Sequence, residues 1–262
     1  MLGTIQISSK YANVHNRCKA HPGNRLTSSF LKAGPQFIKN KTSLASTVKD
    51  ETSSATFQLA QNFWEGETMR CLGAVTRLKR IIIVDVQVYS AALYVEADKC
   101  SKELGIRSRG GFFETDEDFC TSLLDGAFLK VLAIRLLRDV EGQQFAEALN
   151  KYLAPRMTLS GETAKLDEFM ALFMAKKLTS GTEVLLMWNV TGDTEVLVVP
   201  SASDSYKEVK PELRIRSLSL SRGLFETFLG SNSVVPKGLQ VWAAGAKNLL
   251  DYDSVKRNSK KL

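Results

Sequence analysis

MRCLGAVTRLKRIIIVDVQVYSAALYVE, residues 69–96, is dense in β-branched side chains and reads as two consecutive strands. No Asn-Gly or Asp-Gly marks the turn, which is placed at Val84-Asp85. The second half, VQVYSAALYVE (86–96), is apolar on both faces, yet it carries Tyr89 beside three small residues, Ser90, Ala91 and Ala92. Strands buried on both faces usually carry bulky branched side chains. Something other than side chain should therefore fill the space over these three residues, either a ligand or a closely packed helix.

Working outward, EADKCSKELGIRSRGGFFETDEDFCTSLLDG reads as loop with a short helix. Its RSRGG (107–111) is a single arginine-glycine box with acidic neighbours at Glu114, Asp116, Glu117 and Asp118, which fits a turn better than an RNA contact. AFLKVLAIRLLRDV (127–140) is a central strand ended at Glu141-Gly142. Phe145, Leu149, Tyr152 and Leu153 then form one helical stripe stopped near Pro155. Leu166, Phe169, Met170, Phe173 and Met174 form a second. GTEVLLMWNV and TEVLVV flank Thr191-Gly192-Asp193 as a hairpin. LRIRSLSL leads into a helix over SRGLFETFLG, and Pro236 opens a last helix carrying Leu239, Trp242, Ala246 and Leu249. Hairpin strands with helices clustered between them predict an α+β domain, with helices on one face of a mainly antiparallel sheet. The domain is expected over 60–251, followed by a frayed polar tail over 252–262.

The 262 residues carry a net charge of +7, and its distribution decides what it means. Residues 1–49 hold eight Lys or Arg, ten Ser or Thr and no Asp or Glu, leaving 27 basic against 28 acidic residues downstream. The positive charge therefore belongs to the leader and gives the domain no reason to bind nucleic acid. Basic, acid-free, hydroxyl-rich composition marks an organellar transit peptide, assigned to residues 1–54. A plastid (chloroplast stroma) is the expected destination, with a mitochondrion or a tail without an address as the alternatives. Cleavage is expected between Ser43 and Ser54. No run of about eighteen apolar residues is present, so no membrane span is expected.

Both histidines, His15 and His21, fall in the leader, which leaves the domain without imidazole for a Ser-His-Asp or Cys-His site or a histidine metal centre. Cys71, Cys100 and Cys120 are scattered and form no CxxC pair, as free thiols in a reducing compartment would be. No metal and no cofactor are expected.

Five motifs in sequence order, LGAVTR (72–77), VYSAALYVE (88–96), DGAFLKVLAIRLLRDVEGQQF (125–145), SGTEVLLMW (180–188) and LFETFLGSNSVVP (224–236), resemble the chalcone isomerase family. They span roughly residues 64–251. The resemblance implies an open-faced β-sandwich, a large antiparallel sheet covered on one face by helices, with a ligand cleft between the layers. It also implies five site positions. Two, Arg77 and Thr227, carry the residues of catalytic chalcone isomerases. Three depart: Tyr89 stands in the place of a threonine, Phe145 of a tyrosine and Tyr152 of an asparagine.

Each lost transition-state hydrogen bond commonly costs on the order of a hundredfold in rate, so efficient ring closure is not expected. Arginine followed by a VY-small-small-LY strand looks instead like the plastid fatty-acid-binding branch. There the resemblance implies that Arg77 and Tyr89 hold the carboxylate of a long-chain fatty acid, with Tyr152 and Thr227 nearby. Two rivals come from the residues: Arg77 could pair with Asp85 or Glu96, and Arg80 could take its role if the strand register slips. A chalcone–flavanone isomerase with a rearranged site is the alternative function, and an accessory protein to another enzyme the third.

Overall fold

A computed structural model describes residues 46–259. In chain order the strands and helices are β1 Thr47–Lys49, β2 Thr56–Gln58, β3 Ala60–Gln61, β4 Met69–Ile81, β5 Val84–Val95, α1 Ala97–Arg109, α2 Asp116–Asp125, β6 Lys130–Leu136, β7 Val140–Glu141, α3 Gly142–Leu159, α4 Thr163–Met174, β8 Lys177–Leu178, β9 Glu183–Trp188, β10 Asp193–Val199, β11 Leu213–Arg216, α5 Leu218–Leu229 and α6 Pro236–Ser259. Seven strands form one antiparallel sheet in the order β11-β10-β9-β6-β5-β4-β3. The α+β fold expected from the sequence is the one observed.

The main core lies between the sheet and the helices. Ala91, Leu93 and Val95 of β5 point into it against residues such as Phe225, Phe228 and Trp242. Helix α6 lies close enough to β4 that a side chain at Gly245 would collide with the Leu72 carbonyl. Gly73 opposite has φ +148°, a conformation side chains rarely adopt, and its carbonyl accepts from Trp242 Nε1 at 3.2 Å. Two glycines thus let backbone meet backbone where α6 crosses the sheet.

The other sheet face carries a smaller core of its own. Ala92 and Tyr94 point there, against Phe57 from β2, Phe63 and Tyr206. Asp50, buried after β1, accepts from Ser90 Oγ at 2.5 Å, from Ser53 Oγ at 2.8 Å, from the Thr52 amide at 2.9 Å and from Thr76 Oγ1. Burial alone would raise the pKa of this carboxyl; the hydrogen bonds from Ser90, Thr76, Thr52 and Ser53 outweigh it and hold the group below its ordinary value.

Several expectations are corrected. Ser90 and Ala92 do not leave room for a ligand: they face the second core, where Asp50 and Phe57 fill the space. Alternation along a strand decides this, since neighbouring side chains point to opposite faces. The β4–β5 turn sits at Ile82-Ile83, not Val84-Asp85, with Ile82 at φ +57°. The stretch between β5 and β6 is two full helices, the second started by a Thr115–Asp118 capping box at its N-terminus. Helix α3 runs through Pro155 to Leu159, and α6 spans Pro236–Ser259, into the stretch expected as a polar tail.

The leader assignment falls mostly on residues 1–45, outside the described residues. Residues 46–54, the last part of it, belong to the folded domain, because β1 pairs with β2 and Asp50 is buried against β4 and β5.

Candidate functional site

Strands β4 and β5 pair with Arg77 opposite Tyr89, and immediately beyond that pair the register shifts, Leu78 facing Gln87. A bulge of this kind re-aims side chains. Here it lets consecutive residues Val88 and Tyr89 line the same cavity, together with Arg77, Lys79 and Ile81 from β4. The opposite wall comes from Phe145, Leu149 and Tyr152 of α3 and from Thr227 and Phe228 of α5. The cavity holds about 470 Å³, within the range of ligand sites.

All four residues singled out from the sequence, Arg77, Tyr89, Tyr152 and Thr227, therefore meet in one place, and Phe145 joins them. Arg80 does not: it is exposed, outside the cavity lining, and stands opposite Asp85 in the hairpin. Glu96 pairs with Lys99. Among the described residues no carboxylate forms an ion pair with Arg77; its guanidinium donates to the Val234 carbonyl, in the segment between α5 and α6. A half-buried, always-charged fork held by a carbonyl retains its charge unneutralised.

Tyr89 is partly buried, its ring tilted against Phe228 with centroids 6.4 Å apart. Burial drives its phenol well above the ordinary tyrosine value, Arg77 draws it back and Tyr152 adds to the rise. The hydroxyl thus stays protonated and can donate. Thr227 Oγ1 donates to the Gly223 carbonyl at 2.8 Å within α5, so towards a ligand it is left as an acceptor. Phe145 packs on Phe173 with centroids 5.0 Å apart and gives the cavity an apolar floor.

The structure adds residues that sequence reasoning missed. Lys79, Arg138 and Lys151 also line the cavity, against the one carboxylate of Asp139. With Arg77 this makes four cations to one anion, a field that favours an anionic ligand. Lys79 follows Arg77 by two on β4, so strand alternation alone puts it on the cavity face, and the Arg138-Asp139 pair stands just past the central strand.

A second cavity of about 190 Å³ lies on the other sheet face, lined by Phe57, Arg135, Glu183 and Tyr206. Its charges are already matched, Arg135 bridging Glu183 at 2.6 Å and Tyr206 donating to the same carboxylate. The buried Lys130 is likewise spent on fold: its Nζ donates to the carbonyls of Leu124 at 3.0 Å and Gly126 at 2.8 Å, closing α2. Among the described residues no group of His, Cys, Asp and Glu is placed to hold a metal, and no helix is long and apolar enough to cross a membrane.

No protein-family model matches the chain. Two curated soybean (Glycine max) proteins, chalcone–flavanone isomerase 2-A and chalcone–flavanone isomerase 3, are each 23% identical over 217 residues, covering 80% of this chain and 89% of theirs. Among solved structures, the crystal structure of an Arabidopsis thaliana fatty-acid binding protein superposes with a TM-score of 0.64 at 14% identity, covering 78% of this chain and 99% of that one. The resemblance read from the five motifs is thus matched in sequence by chalcone isomerases and in fold by the fatty-acid binding protein.

Proposed function

We propose that this chain, chalcone isomerase-like in sequence and fold, is a non-catalytic binding protein for long-chain fatty acids. The observation that carries the reading is the Arg77 guanidinium, without a carboxylate partner among the described residues, at a cavity whose far wall is Phe145, Leu149 and Phe228. A fatty-acid carboxylate placed between Arg77 and Tyr89 receives two donors, one of them charged. The acyl chain then lies along the phenyl and leucyl wall.

The two parts of the ligand contribute differently. A charge-assisted hydrogen bond is worth about 1.5–3 kcal/mol, and each buried methylene roughly 0.8 kcal/mol. Affinity therefore grows with chain length, while the head-group pair fixes which end enters where. The departures at Tyr89, Phe145 and Tyr152 from the catalytic pattern favour binding over ring closure. The basic leader, read as a plastid address, supports a role in plastid fatty-acid metabolism.

The test is direct. Organic extracts of the domain purified from bacteria are expected to contain long-chain fatty acids by mass spectrometry. The same protein is expected to leave the absorbance of naringenin chalcone unchanged beyond the spontaneous rate. Lipid-free extracts together with rapid loss of the chalcone would reverse the assignment in favour of an isomerase.

A further inference from the structure

Strand β6 pairs with β5 from Tyr89 to Val95, and the Leu137 amide donates to the Val88 carbonyl at 3.0 Å, so beyond Val88 the β4–β5 hairpin leaves the sheet as a two-stranded ribbon. Its end is apolar: Ile81, Ile82, Ile83 and Val84 are 45%, 90%, 81% and 59% exposed. Among the described residues, these four consecutive branched aliphatic residues belong to neither apolar core. Ile82 moreover holds φ +57°, a region that a β-branched residue rarely adopts and that Gly or Asn would occupy with less strain. Neither solubility nor turn geometry accounts for isoleucine there.

The surroundings of this turn point to what it meets. Lys79 and Arg80, both exposed, stand directly behind it on β4, facing Val86 and Asp85. Ile81 and Lys79 also line the ligand cavity, so its mouth opens at the base of the ribbon, where Arg138 and Lys151 add two more cations. An apolar point backed by a cationic collar matches the layering of an anionic lipid bilayer, acyl chains below and phosphates above.

We propose that the β4–β5 turn inserts into the surface of anionic membranes and so brings the cavity mouth to the source of its ligand. The purpose, exchange of an acyl ligand with the bilayer, rests on the binding function proposed above. The docking itself is read out independently of it.

The experiment compares wild type with Ile82→Asn/Ile83→Ser, neither of which lines the cavity. Sedimentation with phosphatidylcholine vesicles is measured with and without phosphatidylglycerol. Wild type is expected to bind the anionic vesicles at least about tenfold more tightly than the neutral ones. The double variant is expected to lose at least about tenfold of that affinity. Its melting temperature should not fall, since Asn relieves the left-handed strain, and its affinity for free fatty acid in solution should be unchanged.

Vesicle binding by a wild type that fails to bind fatty acid would sink the proposed function and still support insertion. Absence of wild-type vesicle binding, or equal binding by the variant, overturns the proposal. So does a vesicle-free wild-type dimer that the two substitutions abolish, which would assign the turn to self-association.

Discussion

Arg77→Ala is expected to weaken binding of a long-chain fatty acid by about tenfold to a hundredfold, the equivalent of the one charge-assisted hydrogen bond it removes. The residue stands opposite Tyr89 in the sheet and lines the cavity with no carboxylate partner among the described residues, so its loss falls on the ligand rather than on an internal ion pair. A truncated side chain also strands the Val234 carbonyl, which makes a stability measurement the necessary companion. Arg77→Lys should recover part of the affinity, because a point charge replaces a planar fork.

The ligand offers a cleaner control. A fatty-acid methyl ester should bind wild type about as weakly as the free acid binds Arg77→Ala, and the ester should barely notice the substitution. Such non-additivity ties the arginine to the carboxylate itself. Equal losses for acid and ester would place Arg77 in the scaffold instead.

Asp50→Ala is expected to destabilise the domain by about 3–5 kcal/mol, since it leaves the hydroxyls of Ser90 and Thr76 without their acceptor inside the sheet's second core. Asp50→Asn keeps the shape and part of the hydrogen bonding, and should cost less. A chain starting at Ala55 should behave like the alanine variant, because it lacks β1 and the carboxylate together. Urea unfolding of the three proteins measures the series.

The pH dependence follows from the sign of the shift. The Asp50 carboxyl is lowered in the folded state from an ordinary value of 3.8, so its contribution is fully present above that value. It is lost as pH falls through the lower folded value. Wild type should therefore lose more stability than Asp50→Asn between neutral pH and strongly acidic solution.

Which of these features the sequence reveals depends on how far apart the interacting residues lie. Three of the four candidate site residues are legible because they sit inside motifs, Arg77 in LGAVTR, Tyr89 in VYSAALYVE and Thr227 in LFETFLG, while Tyr152 lies outside all five. The hairpin at Gly192 and the helices over α4, α5 and α6 follow from turn chemistry and periodicity, which are local. Ser90 and Ala92 were misread because composition reveals that space is needed but not on which face. The answer, Asp50, lies forty residues upstream in a stretch whose composition argues only for a leader. Similarly, Val88 joins Tyr89 in the cavity lining through a register shift between β4 and β5 that no residue pattern announces.

The ribbon and the cavity also constrain each other. Shortening the hairpin to the Arg77–Tyr89 pair would remove the Lys79 and Ile81 side of the cavity, so the exposed turn and the candidate site share one pair of strands. A two-stranded ribbon has little stability of its own.

The most direct test of the account is a structure of the domain with a long-chain fatty acid bound. It should show the carboxylate within hydrogen-bond reach of both the Arg77 guanidinium and the Tyr89 hydroxyl, with the acyl chain against Phe145, Leu149 and Phe228. A carboxylate left in solvent, or an acyl chain outside this cavity, would contradict it.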